Sequence, residues 1–253
     1  MKNFKNQIDF FLRQYLGFSR KNYSEKNESK EGLFAQQKAL EREQYLLEKF
    51  GLETLKSNST RQNYLENLYT VDLLERFFEL EFRDNLTVLD IGCKNWCYAR
   101  GEYFFFKRYC KNLILDGIEI DSNRLYTNFY NRREVAKFHI KDLKGAKYIS
   151  KDFLRHDRRY NYIMWFLPFI IKEPMQKWGL PDKYFQPEKM LSHAYELLNS
   201  GGNIFVVNQG LTEYNVQKGL CQKLNIPFIL LGEVKSEFLN YEIPMFAMVL
   251  NKN

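Results

Sequence analysis

Two apolar runs that end in acids constrain this chain more than any other feature: VLDIGC at 88–93 and DGIEID at 116–121. Such a run is the pattern of a buried parallel strand that turns sharply into a loop beneath a bound ligand. Gly92 removes a side chain where ligand and backbone must approach. Glu119, at the end of the second run, can accept hydrogen bonds from both hydroxyls of a ribose. The pair predicts a nucleoside-containing cofactor. After Gly92 the chain reads Lys94-Asn95-Trp96. GxGxxG is therefore absent, which argues against a dinucleotide, because a pyrophosphate needs bare backbone on all sides.

From Leu86 onward, strand and helix patterns alternate. Strand 86–91 leads to a helix near 96–109, strand 113–119 to a long helix from about Asn123, and three more strands are expected at 146–150, 162–167 and 203–208. Pro187 suits the first turn of the helix ending near Leu198, and Gly201-Gly202 should break it before the fifth strand. This alternation predicts a mostly parallel, doubly wound α/β sheet. After a helix at 213–224, two apolar runs, 228–233 and 245–250, are joined by VKSEFLNYEIP. That spacer is too short for a helical crossover, so the pair should be an antiparallel hairpin at the sheet's edge.

Residues 1–82 read as an N-terminal helical arm packing on a main domain at 83–253. Phe4, Ile8, Phe11, Leu12 and Tyr15 recur at helical spacing, predicting an amphipathic helix over 3–16. RKNYSEKNESKEG at 20–32 has the composition of a flexible linker. A helix over 33–50 should bury Leu40, Leu47 and Phe50 and stop at a left-handed Gly51. Ser59 and Gln62 resemble a capping box opening a helix that carries Tyr64, Leu65, Leu68, Leu73, Leu74, Phe77 and Phe78.

At 253 residues and 45% hydrophobic, the chain can bury a sizeable core. No apolar run approaches the ~20 residues of a membrane helix, and the first residues do not read as a signal peptide, so no membrane partner is expected. The four cysteines, Cys93, Cys97, Cys110 and Cys221, form no CxxC. That fits a reducing cytoplasm and implies no metal. His139, His156 and His193 form no spaced set, and His193 reads as a structural residue inside a helix. Between 124 and 159, eleven basic residues face four acids, an excess equal to the whole chain's +7. A basic face there could hold nucleic acid, or it could be a solvated helix face.

Taken together, 86–250 resembles the class I S-adenosylmethionine-dependent methyltransferases. The resemblance implies a seven-stranded doubly wound sheet ending in such a hairpin, and S-adenosylmethionine as cofactor. By position, DIGC at 90–93 would hold the methionine end, with Asp90 near its ammonium and Gly92 and Cys93 against the ligand. Glu119 and Ile120 would lie at the ribose. KDF at 151–153 matches the family's acid-then-apolar pair, putting Asp152 at the adenine amino group and Phe153 beside the ring. Bland readings stand beside these: Glu119 or Asp121 as a helix cap, and Asp152 paired with Arg155 or Arg158. Lys94-Asn95-Trp96 departs from the family, whose loop continues with further glycines.

On the acceptor side, WFLPF at 165–169 lacks the polar residue and first proline typical of enzymes acting on base amino groups. Trp165 and Phe166 are expected to line the pocket or the core. The long, proline-punctuated segment at 168–186 reads as a binding loop, with Trp178, Tyr184 and Phe185 toward the acceptor. Asn208 and Gln209 stand where open α/β sheets place their ligand crevice, or they satisfy the turn that follows. These features favour methyl transfer to a small molecule. A nucleic-acid methyltransferase using 124–159 and a non-catalytic binder of the same fold remain the alternatives, and no general base is assigned.

Overall fold

Burial alternates along the central strands, and that alternation sets the layers. A computed structural model of the chain describes residues 2–252. In chain order the elements are α1 (Lys2–Leu16), α2 (Gln37–Phe50), α3 (Glu53–Ser57), α4 (Arg61–Phe77), β1 (Arg83–Ile91), α5 (Ala99–Lys107), β2 (Cys110–Glu119) and α6 (Arg132–Ile140). They continue with β3 (Ala146–Ser150), β4 (Tyr160–Phe166), α7 (Lys172–Lys177), α8 (Pro187–Glu196), β5 (Leu198–Gln209), α9 (Gly210–Lys223), β6 (Phe228–Val234) and β7 (Met245–Asn251). The seven strands form one sheet in the order β3-β2-β1-β4-β5-β7-β6. The first five are parallel, and β7 runs antiparallel between β5 and β6. This is the expected α/β architecture, hairpin included.

Leu86 and Val88 of β1 point into a core shared with α2, α4 and α5, whereas Leu89 and Ile91 point into one shared with α8 and α9. The second and fourth helices thus belong to one layer of the sandwich. α4 packs tightly on α5 at Gly101, whose added Cβ would lie 2.7 Å from the Asn67 carbonyl oxygen. Asn67 accepts from the Gly101 amide at 2.7 Å and donates to the Cys97 carbonyl at 2.8 Å. Asn63 donates to the same carbonyl at 2.5 Å, so two side chains of α4 hold the loop after β1 and Asn67 also holds α5.

Several boundaries move for local reasons. Thr60, not Ser59, caps α4 by accepting from the Asn63 amide, while the Ser59 hydroxyl donates back to the Leu55 carbonyl. The helix expected near Asn123 starts only at Arg132, because Asn131 caps it through Glu134 and the preceding residues close a turn by a Leu125–Asn131 bridge. Gly201 and Gly202 do not break the chain but sit inside β5, where the Gly201 amide donates to the Lys252 carbonyl and the Lys252 amide donates to Gly202. An added Cβ at Gly202 would meet the Asn161 carbonyl oxygen at 2.7 Å. Gly51 is left-handed at φ 66°, as expected for the stop of α2, but Leu40 is exposed and Leu46 takes the buried place.

Two features of the arm differ more sharply. Residues 20–32 are largely without helix or strand yet are tied down: Arg20 donates its amide to Phe129, Glu28 donates its amide to Ser59, and the Tyr23 ring packs on Tyr130 and Phe138. In α1 the predicted apolar face points outward. Phe4, Ile8, Phe11, Leu12 and Tyr15 are exposed, whereas Asn6 and Phe10 are buried.

Candidate functional site

The carboxyl ends of β1, β2 and β4 open into a cleft of about 930 Å³, its mouth included. Its floor is Ile91, Gly92, Ile118, Glu119 and Ile120, with Asp152, Phe153 and Trp165 to one side. The outer wall comes from the segment after β4: Leu167, Pro168, Phe169, Met175, Trp178, Leu180, Tyr184 and Gln186. Parallel strands place their loops and ligands at this end.

The loop after β1 is built against its own preferences. Gly92, Lys94 and Trp96 all have positive φ, at 73°, 55° and 45°. The last two hold conformations that glycine adopts without cost, at positions where the sequence departs from a glycine-rich loop. Trp96 is fully buried beneath the loop. Its ring covers Gly117 of β2, where an added Cβ would come within 2.7 Å of Cε3, and its indole nitrogen donates to Glu102 at 2.8 Å. The left-handed turn at Trp96 also delays α5 to Ala99. Leu167, on the cleft wall, is left-handed too, at φ 55°. Strain of this kind collects where surrounding packing over-determines a site.

Glu119 organises the polar end. Its carboxylate accepts from the Lys94 amide at 3.0 Å and the Asp121 amide at 2.7 Å, and Arg132 lies 3.3 Å away. The Lys94 ammonium stands 4.6 Å from the centre of the Trp178 ring, with the Arg132 guanidinium 5.6 Å from the same ring. Burial, and then the nearby Arg132 charge, lowers the Lys94 ammonium below its ordinary pKa. Asp121 does not cap a helix. It is fully buried between Arg13 of α1, at 3.1 Å, and Arg124, at 2.6 Å.

Of the residues expected at the cofactor, Gly92, Glu119, Ile120, Asp152, Phe153 and Trp165 line the cleft, and so do Phe166 and Trp178 from the acceptor side. Asp90 and Cys93 do not; both face the core behind the loop. Strand alternation turns Asp90 to the α5 face with Leu86 and Val88, where it accepts from the Tyr98 hydroxyl at 2.8 Å. Burial pushes the carboxyls of Asp90 and Glu102 well above the usual range, and each has one oxygen without a partner. Asn208 and Gln209 also lie outside the cleft. Asn208 is fully buried on the α9 side with its side-chain amide unpartnered, and Gln209 is exposed, its backbone N–H donating to the Glu213 carboxylate. Lys94 and Arg132 were missed as cleft residues. A lysine in a glycine position was a signal for the first; for the second there was only its place in a basic stretch.

No family model matches the sequence, and no curated protein does. Solved structures do. A S-adenosylmethionine-dependent methyltransferase from Aquifex aeolicus is similar with a TM-score of 0.51 at 13% identity, over 74% of this chain and 91% of that one. The fold is that of the class I methyltransferases. TrmN from Thermus thermophilus is similar at a TM-score of 0.49 and 15% identity over 74% of this chain, which spans only 49% of TrmN's length. A methyltransferase from Pyrococcus furiosus is similar at 0.49 and 17%, over 72% of this chain and 80% of that one. Within the methyltransferase fold, the cleft lies where the strand order reverses, between β1 and β4.

The N-terminal arm packs on the domain without entering the cleft. Among the described residues, none before β1 lines it. α1 props the outer wall from behind: Asn6 donates to the Gln176 and Leu180 carbonyls, and Phe10 packs on Tyr184. The basic stretch is likewise reduced, since Arg124, Arg132 and Arg158 are each paired with a buried carboxylate, Asp121, Glu119 and Asp116.

Proposed function

We propose that this chain is an S-adenosylmethionine-dependent methyltransferase acting on a small, largely apolar acceptor. The supporting observation is the cleft at the switch point of the sheet, with a bare backbone at Gly92, an acid at the end of β2 and an acid-aromatic pair after β3. The residues suit the cofactor. No atom lies within 4 Å of where a Cβ on Gly92 would stand, so backbone and ligand can approach there. Glu119 is oriented by two amides and retains acceptor capacity for ribose hydroxyls. Asp152 uses Oδ1 to cap the turn at Leu154, leaving Oδ2 for an adenine amino group, and Phe153 flanks it. Lys94 offers a cation for the methionine carboxylate.

When bound, the cofactor supplies an activated methyl whose leaving group needs no protonation. What the protein adds is alignment and exclusion of water, and alignment alone is worth up to ~7–11 kcal/mol in well-oriented systems. Trp165, Phe166, Phe169, Met175 and Trp178 make the acceptor side apolar and aromatic. That composition favours a small molecule over a nucleic-acid strand. Four unpaired cysteines support a reducing, cytoplasmic setting, and no helix among the described residues is long and apolar enough to cross a membrane.

Calorimetry and thermal melting with S-adenosylhomocysteine test the reading. At a free concentration 100 times the dissociation constant, stabilisation should be ~2.7 kcal/mol. Glu119→Ala should weaken binding by ~1.5–3 kcal/mol. Absence of any shift with donor or product would refute cofactor use. Binding without turnover on any acceptor would favour the non-catalytic alternative, and salt-sensitive retention of labelled RNA would move the acceptor to nucleic acid.

A further inference from the structure

α1 is mounted with its polar side inward. Asn3 accepts from the Asp182 amide at 2.9 Å, Asn6 donates to two carbonyls of the cleft wall, Gln14 donates to the Ile120 carbonyl at 3.0 Å, and Arg13 binds Asp121 and the Gly179 carbonyl. Phe10 is the one large apolar side chain of the helix that the domain buries. The opposite side carries Phe4 at 68% exposure, Phe11 at 63%, Tyr15 at 81% and Leu16 at 71%, and Phe18 just beyond the helix is 56% exposed. Burial against its own domain would have turned this helix over. Side-chain hydrogen bonds from four positions hold it the other way, and no described residue of the domain covers the apolar face.

We propose that this face docks on an anionic lipid surface. Charge selects the occupant. Lys2 and Lys5 stand at one end of the stripe and Arg20 and Lys21 at the other, all exposed, against the single acid Asp9. A second copy is disfavoured, because an isologous antiparallel pairing would set Lys2 and Lys5 against Arg20 and Lys21 of the other copy. The face presents exposed aromatics along a single helix. Exposed Phe129, to whose carbonyl Arg20 donates, adds a second apolar protrusion nearby. A fluid bilayer accommodates such protrusions without a matching hole. A helix of this length with basic residues at its margins lies in the headgroup plane and does not cross it. This reverses the expectation of no membrane contact, which came from a search for spanning runs and is blind to a short surface helix. It stands independently of methyl transfer.

The test is co-sedimentation of the full chain with vesicles of equal parts phosphatidylglycerol and phosphatidylcholine, and with phosphatidylcholine alone, at low and high salt. Binding is expected on the anionic vesicles, weaker on the neutral ones, and reduced by salt. Phe4→Ser with Phe11→Ser should lower the partition at least ~10-fold, since each exposed ring loses its burial in the acyl boundary, while thermal melting stays unchanged. Lys2→Glu with Lys5→Glu should remove the preference for anionic vesicles. No binding to anionic vesicles, or binding indifferent to the Phe4 and Phe11 changes, overturns the proposal. So does light scattering that shows a dimer which the same two changes dissociate, because the occupant is then a second copy.

Discussion

Gly117→Ala should be costly although the substitution adds one methyl to a strand that otherwise favours side chains. The new Cβ would lie 2.7 Å from Cε3 and 2.8 Å from Cδ2 and Cζ3 of Trp96. Carbon atoms in good contact sit ~3.5–4.0 Å apart, so the ring must retreat by ~1 Å. It has nowhere free to go, being fully buried and held to Glu102 by a 2.8 Å hydrogen bond. Overpacking of this kind costs ~1–3 kcal/mol, and weakening the indole hydrogen bond adds ~1 kcal/mol. A total of ~2–4 kcal/mol corresponds to a melting temperature lower by about 5–15 °C for a chain of this size. Urea denaturation gives the stability, and a cycle with Trp96→Leu isolates the contact. In that background Gly117→Ala should come within ~0.5 kcal/mol of neutral, because the clash partner is gone. An equal penalty in both backgrounds, or none in the wild type, would refute the idea that the indole fills the space above Gly117.

Three further outcomes follow from the same packing. Glu102→Gln should flatten the pH dependence of stability: burial raises the carboxyl, so its contribution is full below the unfolded pKa and is lost as pH rises through the folded one, at up to ~1.4 kcal/mol per pH unit for one proton. Denaturant titrations across that range should show the variant gaining on the wild type toward alkaline pH, and parallel curves would count against a buried, protonated acid. Asn67→Ala removes one bond from α4 to the Cys97 carbonyl and one to the first turn of α5, and leaves the Gly101 amide unpaired, so a loss of ~2–3 kcal/mol is expected in urea unfolding; a loss below ~0.5 kcal/mol would mean that apolar packing and the remaining Asn63–Cys97 bond suffice to hold the helices. Arg13→Ala should loosen α1 without unfolding the domain, since Asp121 keeps Arg124, and hydrogen exchange should quicken across 2–16 while the sheet is unaffected; unchanged protection of α1 would show that Asn6, Gln14 and Phe10 suffice.

Much of the candidate site was legible because it is written locally. A strand of period two ending in an acid and a glycine carries its own address, and so Gly92, Glu119, Ile120, Asp152, Phe153 and Trp165 all meet in one cleft. Asp90 and Cys93, expected there by the same local reading, lie buried outside the cleft's lining. Which side of a strand faces the ligand depends on register against its neighbours, and a one-residue step turns a side chain into the core. Asn208 lies outside the cleft for that reason too: it follows Ile204 and Val206 onto the face covered by α8 and α9.

By itself the sequence determined the α/β class, the edge hairpin and the positions of the parallel strands, because apolar periodicity and turn residues act over a few neighbours. Tertiary structure alone decided the rest. Helical periodicity in α1 showed that an apolar stripe exists but not which way it faces; that was settled by polar partners more than 100 residues away, at Ile120, Asp121, Gln176 and Leu180. The basic stretch shows the same limit, since it holds Arg132 and Arg124 without showing that both are spent on buried carboxylates. Composition counts charges, whereas pairing depends on which elements the fold brings together. Trp96 marks the boundary most clearly: it read as an intrusion in a ligand loop, and only the sheet beneath, with no side chain at Gly117, gives the indole a place to go.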